Sequence, residues 1–166
     1  SPPPGRSPAA MIAPEDDLDR IISVMERAFP PEYGEAWNRR QVADALLLGR
    51  CRYGLIAADG SPAIEPGDDT AGFFLGRSIL DEEELLLFAI APEYRRRGLG
   101  HRLLSRFIEE ARENGIKRIF LEMRHGNPAM HLYTAQGFTP VGIRRAYYRT
   151  PGGERLDAIS QELVLG

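Results

Sequence analysis

Between residues 85 and 115 the hydrophobic period of the chain switches once, and that switch limits the folds available to it. Residues 85–91 form an almost unbroken apolar run, the pattern of a central strand covered on both faces. The basic, glycine-bearing segment Tyr-Arg-Arg-Arg-Gly-Leu-Gly follows at 94–100. From there the apolar residues recur at helical spacing. Leu99, Leu103, Phe107 and Ala111 make one stripe, with Leu104 and Ile108 beside it. Asn114-Gly115 supplies a left-handed stop. A buried strand that feeds an amphipathic helix through a tight turn requires a sheet with helices packed on it.

The flanking patterns complete that sheet. Leu18, Ile21, Ile22, Met25 and Phe29 predict a helix from Pro14, capped by Asp16 or Asp17 and stopped by Pro30-Pro31. Asn38 with Gln41 three residues later resembles a capping box, opening a short helix through Val42, Ala45 and Leu46. Strands are expected at 52–58, 70–80, 119–123, 141–148 and 158–165. The turn chemistry of residues 59–69 joins the first two, and residues 81–83 turn the chain into the apolar run. A short helix at 128–136 is closed by Gly137. Several neighbouring strands are hairpin-linked, so the expected fold is α/β with a mixed, largely antiparallel sheet and helices on both faces, not a doubly wound nucleotide fold. Residues 1–10 are Pro-rich and aperiodic and read as a flexible tail; residues 11–166 read as a single domain.

Composition excludes several function classes. Lys+Arg 21 against Asp+Glu 24 leaves a net charge of −3, which argues against a general nucleic-acid-binding surface. No apolar stretch is long enough to span a bilayer and no basic-then-apolar leader is evident, so no membrane role and a cytoplasmic location are expected. A single cysteine, Cys51, precludes an internal disulfide framework and reads as a quiet core thiol. His101, His125 and His131 lack metal-ligand spacing, so no metal is expected.

The turn at 95–100 has the composition of an anion site. A helix N-terminus offers unpaired N–H groups and the positive end of the helix dipole. Gly98 and Gly100 let those donors approach a ligand closely, and Arg95, Arg96 and Arg97 add positive charge. The alternative is a solvated basic turn; the motif is neither a dinucleotide fingerprint nor a Walker loop.

With its flanks, Ala-Pro-Glu-Tyr-Arg-Arg-Arg-Gly-Leu-Gly-His-Arg-Leu-Leu resembles the acyl-CoA signature R/Q-x-x-G-x-G/A of the GNAT superfamily of N-acetyltransferases, with Arg95, Gly98 and Gly100 at the fixed positions. The resemblance implies that backbone amides of Arg97, Gly98, Leu99 and Gly100 hold the CoA pyrophosphate. It also implies that strand 85–91 pairs with the pantetheine arm, with a bulged amide at Phe88, Ala89 or Ile90 facing the thioester oxygen. The C-terminal Arg-Arg-Ala-Tyr-Tyr, turn, Asp-Ala-Ile is similar to the closing hairpin of the ribosomal-protein-alanine N-acetyltransferases (RimI-like). That likeness implies acetyl-CoA as co-substrate and a peptide or protein N-terminus as partner, the N-terminal alanine of a small-subunit ribosomal protein among them. A small-molecule amine acetyltransferase and a non-catalytic acyl-CoA-binding module share the acetyl-CoA features.

Two residues have the chemistry that such a transfer needs. Glu122 interrupts the apolar strand Arg-Ile-Phe-Leu-Glu-Met, where desolvation is expected to raise its pKa towards that of a useful base; a strand-end salt bridge is the plainer alternative. Tyr133, on the short helix, reads either as a core aromatic or as the acid for a departing thiolate. The resemblance implies the base and acid roles respectively. It also expects an asparagine where Gly126 stands; Asn127 lies one place late as a cofactor contact. Glu82, Glu83 and Glu84 read as a charged turn. Tyr33 and Trp37, with one of Tyr147 and Tyr148, are candidates to line a peptide groove, the other tyrosine being core.

Overall fold

The computed structural model describes residues 14–62 and 68–166. The N-terminal tail and the middle of the 59–69 loop lie outside the described residues. Helix α1 (Pro14–Ala28) starts on a proline, whose missing N–H costs nothing in a first turn. Asp16 and Asp17, expected at its cap, therefore lie within the helical residues. Asp17 instead pairs with Arg20 at 2.9 Å and accepts a 2.6 Å hydrogen bond from the Tyr53 hydroxyl. Helix α2 (Arg39–Leu47) opens on the expected capping box, with Asn38 and Gln41 bonded reciprocally at 2.8 Å.

Six strands follow in one sheet: β1 (Cys51–Ala57), β2 (Thr70–Ile79), β3 (Glu82–Ile90), β4 (Arg118–Arg124), β5 (Thr139–Arg149) and β6 (Arg155–Val164). Their order is β1-β2-β3-β4-β6-β5, and only the β3–β4 pair is parallel. Helix α3 (Leu99–Glu113) makes the β3-to-β4 crossover, and α4 (Met130–Ala135) follows β4. Helices α1 and α2 cover one face of the sheet through Ile21, Val24, Val42, Phe73 and Leu87. Helix α3 covers the other with all six residues of its expected apolar stripes buried, against Phe74, Leu85 and Ile119. Burying each of the Leu, Ile and Phe side chains among them is worth about 1.5–3 kcal/mol.

The acidic triplet is not a turn. Ile79 pairs with Glu82, so Leu80 and Asp81 alone make the hairpin connection, with Leu80 left-handed at φ +57°. The mixed burial of Glu82–Glu84 hides that strand from an apolar-run argument. Glu83 is 1% exposed and receives both Nε and Nη2 of Arg52 at 2.9 Å. Arg52 also reaches Glu110 at 2.7 Å and the Phe107 carbonyl at 2.8 Å. A Cβ at Gly76 would stand 2.8 Å from both Glu83 and Phe107, so only glycine leaves room for this pair.

Two irregularities in β3 create the cleft. Leu75 pairs with Leu87 but Gly76 pairs with Leu85, so Leu86 is an extra residue. It inverts the side-chain alternation: Leu85 belongs to the α3-side core and Leu87 to the opposite one, although they are two residues apart. The second irregularity is the short β3–β4 ladder, which runs only from Glu82/Arg118 to Glu84/Phe120. Beyond it a cavity lies between the two strands, lined by both Leu85–Phe88 and Leu121–Met123.

Candidate active site

The basic turn is shaped by two left-handed residues, Arg96 at φ +63° and Gly98 at φ +78°. Gly98 is the N-cap of α3 and no side chain caps the helix. The first intrahelical bond runs from Arg102 N–H to the Gly98 carbonyl at 3.1 Å, so the N–H groups of Leu99, Gly100 and His101 have no acceptor in the helix. Gly100 packs so closely that a Cβ would lie 3.3 Å from Leu132. The three arginines differ. Arg95 donates to the carbonyls of Ile90 (3.1 Å) and Ala28 (3.2 Å), tying the turn to β3 and α1. Arg96 lines a cavity in front of the helix end, whereas Arg97 stacks over Tyr94 with 5.6 Å to its centroid. Leu99 is buried in the core, which leaves only its backbone for a ligand.

The cavity at the helix end has a volume of about 460 Å³. Its walls include Phe88, Ala89, Ile90, Gly98, Gly100 and Asn127. The bulge at Leu86 precedes the three residues at which it is expected; Phe88, Ala89 and Ile90 pair regularly with Phe74, Phe73 and Gly72. Asn127 is committed in part to its own turn, accepting from Ala129 N–H at 2.9 Å.

A second cavity, about 300 Å³, holds Glu122, Tyr133, Tyr148 and Trp37. Phe29, Glu35, Phe88 and Asn127 line both cavities and make their common wall. Glu122 is less buried than its apolar strand suggests: its side chain is 23% exposed and lies 3.3 Å from the Arg144 guanidinium. The Ser160 hydroxyl donates to it across a long 3.5 Å. Tyr133 is 6% exposed, with Phe88 and Phe138 packed edge-on at 6.1 and 5.7 Å between centroids. Burial, with a smaller contribution from the Glu35 carboxylate, pushes its hydroxyl pKa well above the usual phenol value, so it stays protonated.

Neither tyrosine of the β5 pair is core. Tyr147 is 52% exposed and stacks edge-on against Tyr148 at 5.3 Å. Tyr148 is half-buried in the cavity wall, its hydroxyl pushed up to about 12 by burial first and then by the Glu122 and Glu35 carboxylates. Tyr33 lines neither cavity; it lies under the Arg124 guanidinium, 3.7 Å from ring to cation. Arg124 also donates to Glu35 at 2.9 Å, and both side chains are nearly buried. Glu35, Arg124 and Arg144 escape sequence reading. Glu35 lies in an aperiodic loop and the two arginines at a strand end and on an exposed edge strand, so only tertiary placement brings them to the cleft. Cys51 opens β1, half-buried, and burial pushes its thiol pKa upward, away from nucleophilic use. Among the described residues no three His, Cys, Asp or Glu side chains cluster as a metal site, and no helix is long and apolar enough to cross a membrane.

The acetyltransferase (GNAT) family pattern matches residues 18–138. The [ribosomal protein bS18]-alanine N-acetyltransferase of Escherichia coli (strain K12) is 42% identical over 96 residues, 57% of this chain and 64% of that protein. The Haemophilus influenzae enzyme of the same name is 40% identical over 88 residues, 53% of this chain and 60% of that one. These matches thus span a little under two thirds of the relatives' length. The crystal structure of the E. coli ribosomal-protein-S18-alanine N-acetyltransferase superposes with a TM-score of 0.74 at 32% identity, covering 91% of this chain and 89% of that one. With the family pattern matching residues 18–138, well over half of the sequence, this chain belongs to the acetyltransferase (GNAT) family.

Proposed function

We propose that the chain transfers an acetyl group from acetyl-CoA to the α-amino group of a protein N-terminus, with the N-terminal alanine of a bS18-type ribosomal protein as acceptor. The observation that carries this reading is the placement of Glu122 and Tyr133 in one 300 Å³ cavity that shares a wall with the cavity at the α3 N-terminus. The residues there suit a nucleotide diphosphate: an uncapped helix end, glycines at 98 and 100, and Arg96 beside them. The names of the relatives at 42% and 32% identity support the acceptor.

The chemistry follows from the groups in the cleft. An α-amino group has a pKa of about 7.7–8.0, so its deprotonation is cheap near neutrality. Glu122 takes that proton as the nitrogen–carbon bond forms. A cleft-facing backbone amide of β3, at Phe88, Ala89 or Ile90, steadies the oxyanion. Tyr133 donates its phenolic proton to the sulfur as the carbon–sulfur bond breaks. Holding both reactants in line supplies a further large share of the acceleration.

Intact-mass analysis with acetyl-CoA and an Ala-starting ribosomal peptide tests the proposal. Gain of one acetyl group at the α-amine is expected. Transfer only to free polyamines or antibiotics, or CoA binding without transfer, overturns it.

A further inference from the structure

Glu35 and Arg124 form the most deeply buried ion pair of the cleft, at 12% and 10% side-chain exposure. Neither lies on an element whose sequence pattern demands a charge. Arg124 ends β4, two residues after Glu122. Glu35 lies in the connection between α1 and α2, where Pro30 and Gly34 flank a single 3₁₀ turn (Pro31–Tyr33). That connection has few backbone bonds of its own, yet it supplies one wall of the Glu122 cavity through Gly34, Glu35, Ala36 and Trp37. Arg124 holds it at two points, by the 2.9 Å bond from Nε to Glu35 and by lying 3.7 Å over the Tyr33 ring. Asn127 adds a weaker contact to the other Glu35 oxygen at 3.4 Å.

We infer that Arg124 is a positioning residue that latches the α1–α2 connection onto β4 and thereby sets the shape of the acceptor side of the cleft. The inference rests on the acetyltransferase reading and deepens it. Arg124 reaches the acceptor only through the wall it holds. Glu35 and Arg124 also line the cavity at the α3 end, but the uncapped helix end and residues Gly98 and Gly100, where the coenzyme diphosphate would sit, make no use of the bond between them. Releasing the latch therefore weakens acceptor recognition more than coenzyme recognition, because Gly34, Ala36 and Trp37 of the latched connection line the Glu122 cavity alone. Because both charges are nearly buried, removing one leaves the other without its oppositely charged partner, and removing both relieves that penalty.

The test compares Arg124→Met, Glu35→Ala and the double variant with the unaltered chain, using acetyl-CoA and an Ala-starting peptide. Each single variant is expected to raise the peptide KM at least tenfold and the acetyl-CoA Kd by a clearly smaller factor, about threefold at most. The double variant is expected to be no worse than the weaker single. If Arg124→Met does not fold, Arg124→Lys keeps the charge but loses the flat stack on Tyr33, and the peptide KM should still rise. An unchanged peptide KM in folded variants, losses that add in the double variant, or an equal loss of acetyl-CoA affinity overturns the latch. If the unaltered chain binds acetyl-CoA but acetylates no peptide, the functional proposal fails instead.

Discussion

The Arg144 guanidinium lies 3.3 Å from the Glu122 carboxylate, although β6 separates the strands that carry them. Arg144 thus reaches across one whole strand to aim the carboxylate into the cleft, beside Ser160. If Glu122 is the base, Glu122→Gln lowers kcat/KM for the peptide by about 10²-fold or more. The deficit is largest below pH about 8, where the α-amine is protonated, and shrinks as the pH rises. Acetyl-CoA affinity is unchanged. Rates measured across pH decide this, and a profile parallel to that of the unaltered chain removes Glu122 from the mechanism.

Tyr133→Phe keeps the aromatic contacts to Phe88 and Phe138 and removes only the hydroxyl, so stability and acetyl-CoA binding should hold while kcat falls. The proton on that hydroxyl is retained because burial and the Glu35 carboxylate both oppose ionisation.

The same environment gives the fold an alkaline limit. Tyr53 and Tyr148 have hydroxyls raised from 10 to about 12, and Tyr133 is raised too. A phenol whose folded pKa exceeds its unfolded one favours the folded state fully below pH about 10, and that advantage is lost as the pH climbs through the folded value. Ultraviolet absorbance at about pH 11 should therefore show these three phenols ionising only when denaturant is added. Ionisation of all six tyrosines in the native protein would refute it.

Gly98→Ala places a side chain at φ +78°, where the backbone alone costs about 1–2 kcal/mol, because the added Cβ meets nothing within 4 Å. Acetyl-CoA affinity is expected to fall at least tenfold as the uncapped helix end is re-aimed. Gly100→Ala has an ordinary φ and one tight neighbour, so its stability loss is smaller. Calorimetric titration with melting curves reads both effects.

Glu83→Ala leaves Arg52 without its buried bidentate partner, with Glu110 as the remaining carboxylate. Breaking such a pair costs about 3 kcal/mol. For a chain of this size that lowers Tm by roughly 6–12 °C. A melting curve within a degree or two of the unaltered chain would show that Glu110 suffices.

Periodicity made most of the architecture legible. The α3 stripe, the Asn38–Gln41 capping box and the alternation of β4 follow from local rules that tertiary packing did not overrule. Errors arose where a polar residue is satisfied by a distant partner. Glu83 reads as turn because Arg52, 31 residues away, cannot be foreseen as its mate. The Leu86 bulge leaves no mark in an unbroken apolar run. Within the cleft, a family motif pointed to Glu122 and Tyr133, whereas Glu35 and Arg124, 89 residues apart, are joined only by folding.

The parallel seam between β3 and β4 has a mechanical corollary. Three residue pairs join a three-stranded half to another three-stranded half, so the sheet resembles a book held by a short spine. A molecule wedged between the pages would bind both halves at once. Cohesion of the whole domain should then rise with occupancy, by RT ln(1 + [L]/Kd), and heat resistance becomes a gauge of what the cleft accepts.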